Sequence, residues 1–117
     1  FYIHIKGPDE PGHDGDFQLK TRAIEAVDRY FFGKLLPDID MDECLICITA
    51  DHATPCKLKA HSDDPVPVLI SGNKVSHDGS RRFSESECRN GGLGTLEMST
   101  LLMPMLMKIL RGNESVN

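Results

Sequence analysis

Acidic and histidine side chains occur together at short spacings between residues 9 and 61. Asp9 and His13 lie four residues apart in the segment GPDEPGHDG. Asp51 and His52 are adjacent, and His61 follows them in a polar segment. Imidazole and carboxylate ligands in combination suit zinc, manganese, iron or cobalt, whereas magnesium and calcium sites rely on oxygen ligands. The pattern predicts a transition-metal site, although manganese and magnesium often share carboxylate-rich sites.

The size of this candidate set indicates how many metal ions it could hold. An open catalytic zinc site takes about three protein ligands, and the set is larger than that. It is too small to saturate a pair of metal ions, so we expect two ions with part of their ligands missing. A lone Asp-x3-His or Asp-His pair is common by chance, and only their joint placement favours a site. Neighbouring acids are expected to act as helix caps and solvated turn residues: Asp14, Asp16, Asp63 and Asp64.

Other metal-competent or nucleophilic side chains are interpreted as structural. Cys44 and Cys47 lie three apart on a predicted strand, where their side chains point to opposite faces and cannot bind one metal ion. His4 falls inside a predicted strand and is expected to be an interior histidine. No serine has an adjacent base, so no nucleophile is predicted in this chain.

The elements that would position the ligands are typical of an α/β protein. Apolar runs predict strands near residues 1–6, 44–50 and 66–71. Apolar residues at helical spacing predict a helix near residues 16–33, capped by Asp16. Strand, helix and strand form a βαβ unit, so the first two strands should be parallel. The link to the third strand has no helical period, so that strand should run antiparallel.

This mixed sheet would gather the ligands at one edge, because ligands bind outside the carboxyl ends of strands in open α/β sheets. After Gly72 the chain is polar and glycine-rich, with one short strand expected near Phe83. An apolar helix is predicted near residues 95–110, broken or kinked near Pro104.

These elements do not cover one another, because a mostly parallel sheet needs helices on both of its faces. The chain also begins without methionine, in an apolar run. We therefore expect residues 1–117 to be the C-terminal part of a larger α/β protein. Its exposed sheet edge and its C-terminal apolar helix could then associate with further protein.

Composition and charge argue against several kinds of partner. With 39% hydrophobic and 26% charged residues the chain has a globular composition. A net charge of −5 without any run of Lys or Arg argues against nucleic-acid binding. The longest mostly apolar run is well short of the ~20 residues that a membrane span needs. Sparse cysteines and the lack of a signal-peptide pattern favour reduced thiols and a cytoplasmic location.

Four motifs together resemble the C-terminal part of a known enzyme family, and the resemblance spans nearly the whole chain. The motifs HIKGPDEPGHDGD, ITADHATPC, KAHSDDPVPVLISG and GGLG resemble the archaeal-type cofactor-independent phosphoglycerate mutases of the alkaline phosphatase superfamily. The resemblance implies a three-layer α/β/α fold and two divalent metal ions, of Mn, Mg, Zn or Co. It implies interconversion of 3-phosphoglycerate and 2-phosphoglycerate in glycolysis through a phosphoserine, without 2,3-bisphosphoglycerate.

The resemblance also implies roles for the candidate ligands. By motif, Asp9, His13 and His61 resemble the ligands of one metal ion, and Asp51 and His52 resemble part of the second set. Each histidine would need a hydrogen-bond acceptor behind it. The candidates for that acceptor are Asp14, Asp63 and Asp64.

Other parts of the family's active site have no match here. The nucleophilic serine and a further aspartate lie near the family's N-terminus, and the substrate-binding cap domain has no counterpart in this chain. The chain alone is therefore expected to be inactive. A phosphatase, phosphodiesterase or phosphonate-processing relative remains an alternative for the parent protein, as does a non-catalytic metal-binding fragment.

Overall fold

The computed structural model describes residues 1–112, which form two compact units. The first unit contains Phe1–Ile39 and Asp51–Pro65. The second contains Asp40–Ala50 and the residues from Val66 onward. Every predicted metal ligand therefore belongs to the first unit.

The first unit opens with a short helix that the sequence analysis did not predict. Helix α1, Asp9–Asp14, ends at Gly15, whose φ of 76° lies in the left-handed region that favours glycine. Acidic residues occupy its first turn and His13 its last, an order that suits the helix dipole. The predicted ligands Asp9 and His13 are thus held on one rigid helical turn.

A longer helical segment follows and bears out the prediction for residues 16–33. Helix α2, Phe17–Ala26, begins where the Asp16 carboxylate accepts a hydrogen bond from the Leu19 N–H at 2.8 Å. This is the predicted N-cap. The path continues through a π-helical turn, a short helix α3 and a 3₁₀ turn, which span Val27–Phe32, Gly33–Leu35 and Leu36–Asp38.

The second unit contains a two-stranded antiparallel sheet. Strand β1, Leu45–Thr49, pairs with strand β2, Val68–Gly72. The antiparallel arrangement predicted for residues 44–50 and 66–71 is confirmed. Gly72 is needed where it lies, because a Cβ atom there would approach a backbone carbonyl oxygen to 2.7 Å.

Residues 1–6 do not form the strand that their apolar pattern predicts. None of residues 1–112 forms a β-ladder with this segment, and a strand requires a hydrogen-bonded neighbour. The side chains of Phe1, Tyr2 and Ile3 are exposed. The predicted parallel pairing with residues 44–50 is therefore not confirmed by the described residues. An apolar pattern indicates that a segment can be buried, but it does not supply the neighbouring strand.

Helix α4, Glu85–Arg89, occupies the region where a strand was expected near Phe83. Its start is defined by the Ser84 hydroxyl, which accepts a hydrogen bond from the Glu87 N–H. A serine followed three residues later by glutamate is typical of a helix N-terminus. This capping interaction favours a helix over the strand that was expected near Phe83.

The described chain ends in a helix, as the sequence predicts. A 3₁₀ turn, Ser99–Leu101, leads into α5, Leu102–Leu110, so the predicted helix starts later than residue 95. Pro104 lies in the first turn of α5, where its missing N–H is tolerated. Ile109 of this helix is the fully buried large hydrophobic residue of residues 1–112. None of the helices in this range is long and apolar enough to cross a bilayer.

Candidate metal centre

Helix α1 presents two of the predicted ligands side by side. Residues four apart lie on the same helical face, and Asp9 Oδ1 lies 3.5 Å from His13 Nε2. The Asp9 side chain is 21% exposed and that of His13 is 43% exposed. The pair can therefore take up a ligand from solvent without unfolding the helix.

The loop after β1 brings His61 to this pair. An isolated β-bridge joins Ala53 to Ser62 and closes the loop just beside His61. His61 Nε2 lies 3.2 Å from His13 Nε2 and 3.7 Å from Asp9 Oδ1. The segment that showed no helical period in the sequence thus supplies the third predicted ligand.

The three atoms have the spacing of a metal-binding face. Ligand atoms about 2.0–2.2 Å from a tetrahedral ion lie roughly 3.3–3.6 Å from one another. The observed separations of 3.2, 3.5 and 3.7 Å span that range. Two imidazole nitrogens and a carboxylate oxygen form a donor set that suits a divalent transition metal.

His52 also reaches this cluster. Its ring stacks on that of His61, with centroids 3.7 Å apart and an interplanar angle of 27°. Ligand atoms of Asp9, His52 and His61 all lie within 4.8 Å of one another. The histidines predicted for two different metal ions are therefore in direct contact in the structure.

Asp51 lies at the border of the cluster. Its Oδ2 atom lies 3.6 Å from His52 Nε2 and 3.9 Å from His4 Nε2, and its side chain is 60% exposed. His4 is exposed as well, so the expectation of an interior histidine is wrong. With residues 1–6 outside any strand, no other part of residues 1–112 buries its ring. Sequence reasoning also missed its approach to Asp51.

The acceptors behind the histidines differ from those that the sequence suggested. His13 Nδ1 donates to the Lys59 carbonyl oxygen at 3.4 Å, so a backbone group fixes this ring. The Asp64 carboxylate accepts from the Ser62 hydroxyl at 2.7 Å. Within residues 1–112, neither Asp14 nor Asp63 makes a hydrogen bond to a predicted ligand. A backbone carbonyl carries no sequence signature, which is why it could not be predicted.

Thr54 is a further functional candidate that sequence reasoning missed. Its side chain is buried, and its hydroxyl donates to Asp9 Oδ1 at 2.7 Å. This hydrogen bond, together with the nearby histidines, lowers the pKa of Asp9 below its ordinary value. The carboxylate is thus kept in the ionised form that binds cations. A threonine in a loop gives no pattern that would mark such a role.

The four cysteines take no part in this cluster. All of them are free thiols, as predicted from their sparse distribution. Burial raises the pKa of Cys47, which lies on β1 in the second unit. The thiol form packs in the sheet, in agreement with a structural role.

Comparisons with known proteins identify relatives over almost the whole chain. The model of the Metalloenzyme superfamily matches residues 1–109. The 2,3-bisphosphoglycerate-independent phosphoglycerate mutase of Aeropyrum pernix is 45% identical over 114 residues, which cover 95% of this chain and 26% of that protein. The mutase of the same name from Pyrococcus horikoshii is 41% identical, over 97% of this chain and 27% of its own length.

A solved structure of a Pyrococcus horikoshii protein supports the same relationship. It superposes with a TM-score of 0.88 at 40% identity, covering 97% of this chain and 34% of the other. The chain spans about a quarter of the length of the curated relatives it matches. Sequence match, shared fold and a cluster of metal-competent side chains agree, and the chain belongs to the Metalloenzyme superfamily.

Proposed function

We propose that this chain is the C-terminal, metal-binding part of a 2,3-bisphosphoglycerate-independent phosphoglycerate mutase. The observation that carries the proposal is the convergence of Asp9, His13 and His61, whose ligand atoms lie 3.2 to 3.7 Å apart. The identity of 45% to the Aeropyrum pernix mutase supports the choice of reaction. The parent protein would interconvert 3-phosphoglycerate and 2-phosphoglycerate.

The ligands would be divided between two divalent metal ions. Asp9, His13 and His61 would hold one ion, and Asp51 and His52 would contribute to the second. The imidazole ligands favour Mn, Zn or Co over Mg at the first position. When bound, such ions supply positive charge that stabilises phosphoryl transfer between oxygens. The residues of this chain would hold the ions in place and keep the Asp9 carboxylate ionised.

The remaining active-site groups would come from the longer protein that carries this chain. These are the nucleophilic serine that forms the phosphoserine, a further aspartate, and a cap domain that binds the substrate. In that protein residues 1–6 would add a strand to the sheet of a three-layer α/β/α fold, which would bury the side chains of Phe1, Tyr2 and Ile3. The 117-residue chain alone would be inactive, and the complete enzyme would work in the cytoplasm.

The proposal is tested on the longer protein, supplied with Mn²⁺ and 3-phosphoglycerate and followed by ³¹P NMR. We expect 2-phosphoglycerate to form without addition of 2,3-bisphosphoglycerate. The variant His61→Ala should lose this activity, because the first ion loses a ligand. His77→Ala is the matched control, since His77 lies in the second unit, where its ring accepts a hydrogen bond from the Gly79 N–H.

The same experiment separates the proposal from its alternatives. Release of inorganic phosphate in place of 2-phosphoglycerate would identify a phosphatase with the same metal site. If neither 2-phosphoglycerate nor inorganic phosphate forms but the chain binds metal, the result would indicate a non-catalytic metal-binding protein. Equal activity in the His61→Ala and His77→Ala variants would contradict the assignment of the site.

A further inference from the structure

Thr54 is the buried polar residue among residues 1–112, with 4% of its surface exposed. It lies between two candidate ligands that are far apart in the sequence. Its Oγ1 atom is 2.7 Å from Asp9 Oδ1 and 3.1 Å from His52 Nδ1. One hydroxyl group therefore contacts a residue from each of the two proposed ligand sets.

The directions of these hydrogen bonds follow from the number of protons available. A threonine hydroxyl has one proton, and an ionised carboxylate can only accept. The Thr54 proton is therefore committed to Asp9. The oxygen can then only accept from His52, which requires the proton of that ring to reside on Nδ1.

This choice of tautomer has a direct consequence for metal binding. A neutral imidazole with its proton on Nδ1 has the lone pair on Nε2. That Nε2 atom lies 3.6 Å from Asp51 Oδ2, the other residue proposed for the same ion, and ligand atoms of His52, Asp9 and His61 lie within 4.8 Å of one another. The Thr54 hydroxyl thus prepares His52 to bind a cation and orients the Asp9 carboxylate with the same atom.

The backbone of Thr54 is fixed from both sides. Its carbonyl oxygen accepts a hydrogen bond from Lys20 Nζ at 2.6 Å. It also packs against Gly12 of α1 so closely that a Cβ atom there would lie 2.6 Å from it. The preceding residue, Ala53, pairs with Ser62 in a β-bridge. A hydroxyl held by such a rigid backbone can set the geometry of its partners.

We propose that Thr54 is a positioning residue that orients the Asp9 carboxylate and selects the Nδ1-protonated tautomer of His52, so that both side chains are ready to bind metal. This inference rests on the proposed function as a metal site. It assigns Thr54 a role without direct contact to metal or substrate. Residues of this kind typically change metal affinity by about 10-fold to 100-fold when they are removed.

The test combines two measurements on the 117-residue chain. Calorimetry with Mn²⁺ gives the affinity, and ¹⁵N NMR of the metal-free chain gives the tautomer of His52. Thr54→Val keeps the shape and removes the hydroxyl, whereas Thr54→Ser keeps the hydroxyl. Thr49→Val is the matched control, because the Thr49 hydroxyl bonds to the Pro67 carbonyl in the second unit.

We expect Thr54→Val to bind Mn²⁺ about 10-fold to 100-fold more weakly and to redistribute the His52 proton between its ring nitrogens. Thr54→Ser and Thr49→Val should both resemble the wild type. Circular dichroism checks folding, and Thr54→Ala takes the place of the valine variant if that variant does not fold. The proposal is overturned if the variant without the hydroxyl keeps the wild-type Mn²⁺ affinity and an unchanged His52 tautomer. It is also overturned if Thr54→Ser does not show both the wild-type affinity and the wild-type tautomer.

Failure of the proposed function gives a different result. If the wild-type chain binds no Mn²⁺, the metal-site assignment fails, and the NMR measurement decides on Thr54. If His52 carries its proton on Nδ1 in the wild type and this proton is redistributed in Thr54→Val, the positioning role is supported. An identical tautomer mixture in both chains rejects it.

Discussion

The Nε2 atoms of His13 and His61 lie 3.2 Å apart, although 48 residues separate these histidines in the sequence. Two ring nitrogens at this distance can share one proton or one cation, because two protonated nitrogens would repel each other. His13 is fixed by its Nδ1 bond to the Lys59 carbonyl, only two residues before His61. The same loop therefore orients one histidine and supplies the other, which gives the pair a geometry suited to binding one metal ion.

The first prediction follows from this pair. His61→Ala should weaken Mn²⁺ binding by more than the roughly 100-fold that loss of a supporting residue can cause, because a direct ligand is removed. Asp9→Ala should have a comparable effect. Calorimetry on the purified chain measures both, with His77→Ala as the control. Equal affinities for His61→Ala and His77→Ala would mean that the close pair does not bind the ion.

The sequence was a better guide to which residues lie close together than to the helices and strands that carry them. The spacing of Asp9 and His13 suggested a common site, but the glycine and prolines around them obscured helix α1. The approach of His61 depends on a single β-bridge and on backbone carbonyls, which leave no pattern in the sequence. Thr54 was missed for the same reason, because its role comes from position and not from residue type.

The fold was likewise predicted where it depends on local sequence and was not predicted where it depends on distant residues. The cap at Asp16 and the antiparallel pairing of β1 with β2 follow from local patterns and were predicted. The strand expected at residues 1–6 needs a neighbour. Apolar periodicity predicts that a segment should be buried, but the identity of the covering element comes from outside the segment.

A second prediction concerns the contact between Gly12 and Thr54. Gly12→Ala places a Cβ atom 2.6 Å from the Thr54 carbonyl oxygen, so α1 must move away from the loop. Overpacking of this kind typically costs about 1–3 kcal/mol. Denaturant unfolding should register this loss, and Mn²⁺ affinity should fall with it because Asp9 and His13 move with the helix.

Gly7→Ala is the matched control for that substitution. Among residues 1–112, no atom beyond Gly7 itself and its two chain neighbours lies within 4 Å of the position that its Cβ would occupy. We expect a change within about 0.5 kcal/mol for this variant, as for most surface substitutions. Equal destabilisation by the two variants would indicate that the contact between α1 and Thr54 is not the reason why position 12 requires glycine.

A third prediction concerns the start of α2. Asp16→Ala removes the acceptor of the Leu19 N–H and should lower the free energy of unfolding by about 1 kcal/mol. Asp16→Asn should restore most of this loss, because asparagine caps helices equally well. Thermal unfolding followed by circular dichroism measures the difference. If alanine and asparagine behave alike, the hydrogen bond does not stabilise the helix.

A fourth prediction concerns pH and the loop around Asp78 in the second unit. Hydrogen bonds from the backbone N–H groups of Gly92 and Ser80 lower the pKa of Asp78 from 3.8 to about 2. A group whose pKa is lowered in the folded state stabilises it above the unfolded pKa, and this contribution is lost as the pH falls through the folded value. The stabilisation should therefore be complete above about pH 4 and disappear towards pH 2.

The measurement compares the unfolding temperature of the wild type with that of Asp78→Asn between neutral pH and pH 2. The variant should be less stable at neutral pH, because its amide cannot replace both carboxylate acceptors. The difference in unfolding temperature between the two proteins, here called the gap, should close below about pH 4. Asp42→Asn controls for net charge, since the Asp42 carboxylate accepts no hydrogen bond within residues 1–112. A gap that stays constant down to pH 2 would contradict the argument, because the Gly92 and Ser80 N–H groups would then not favour the ionised form of Asp78.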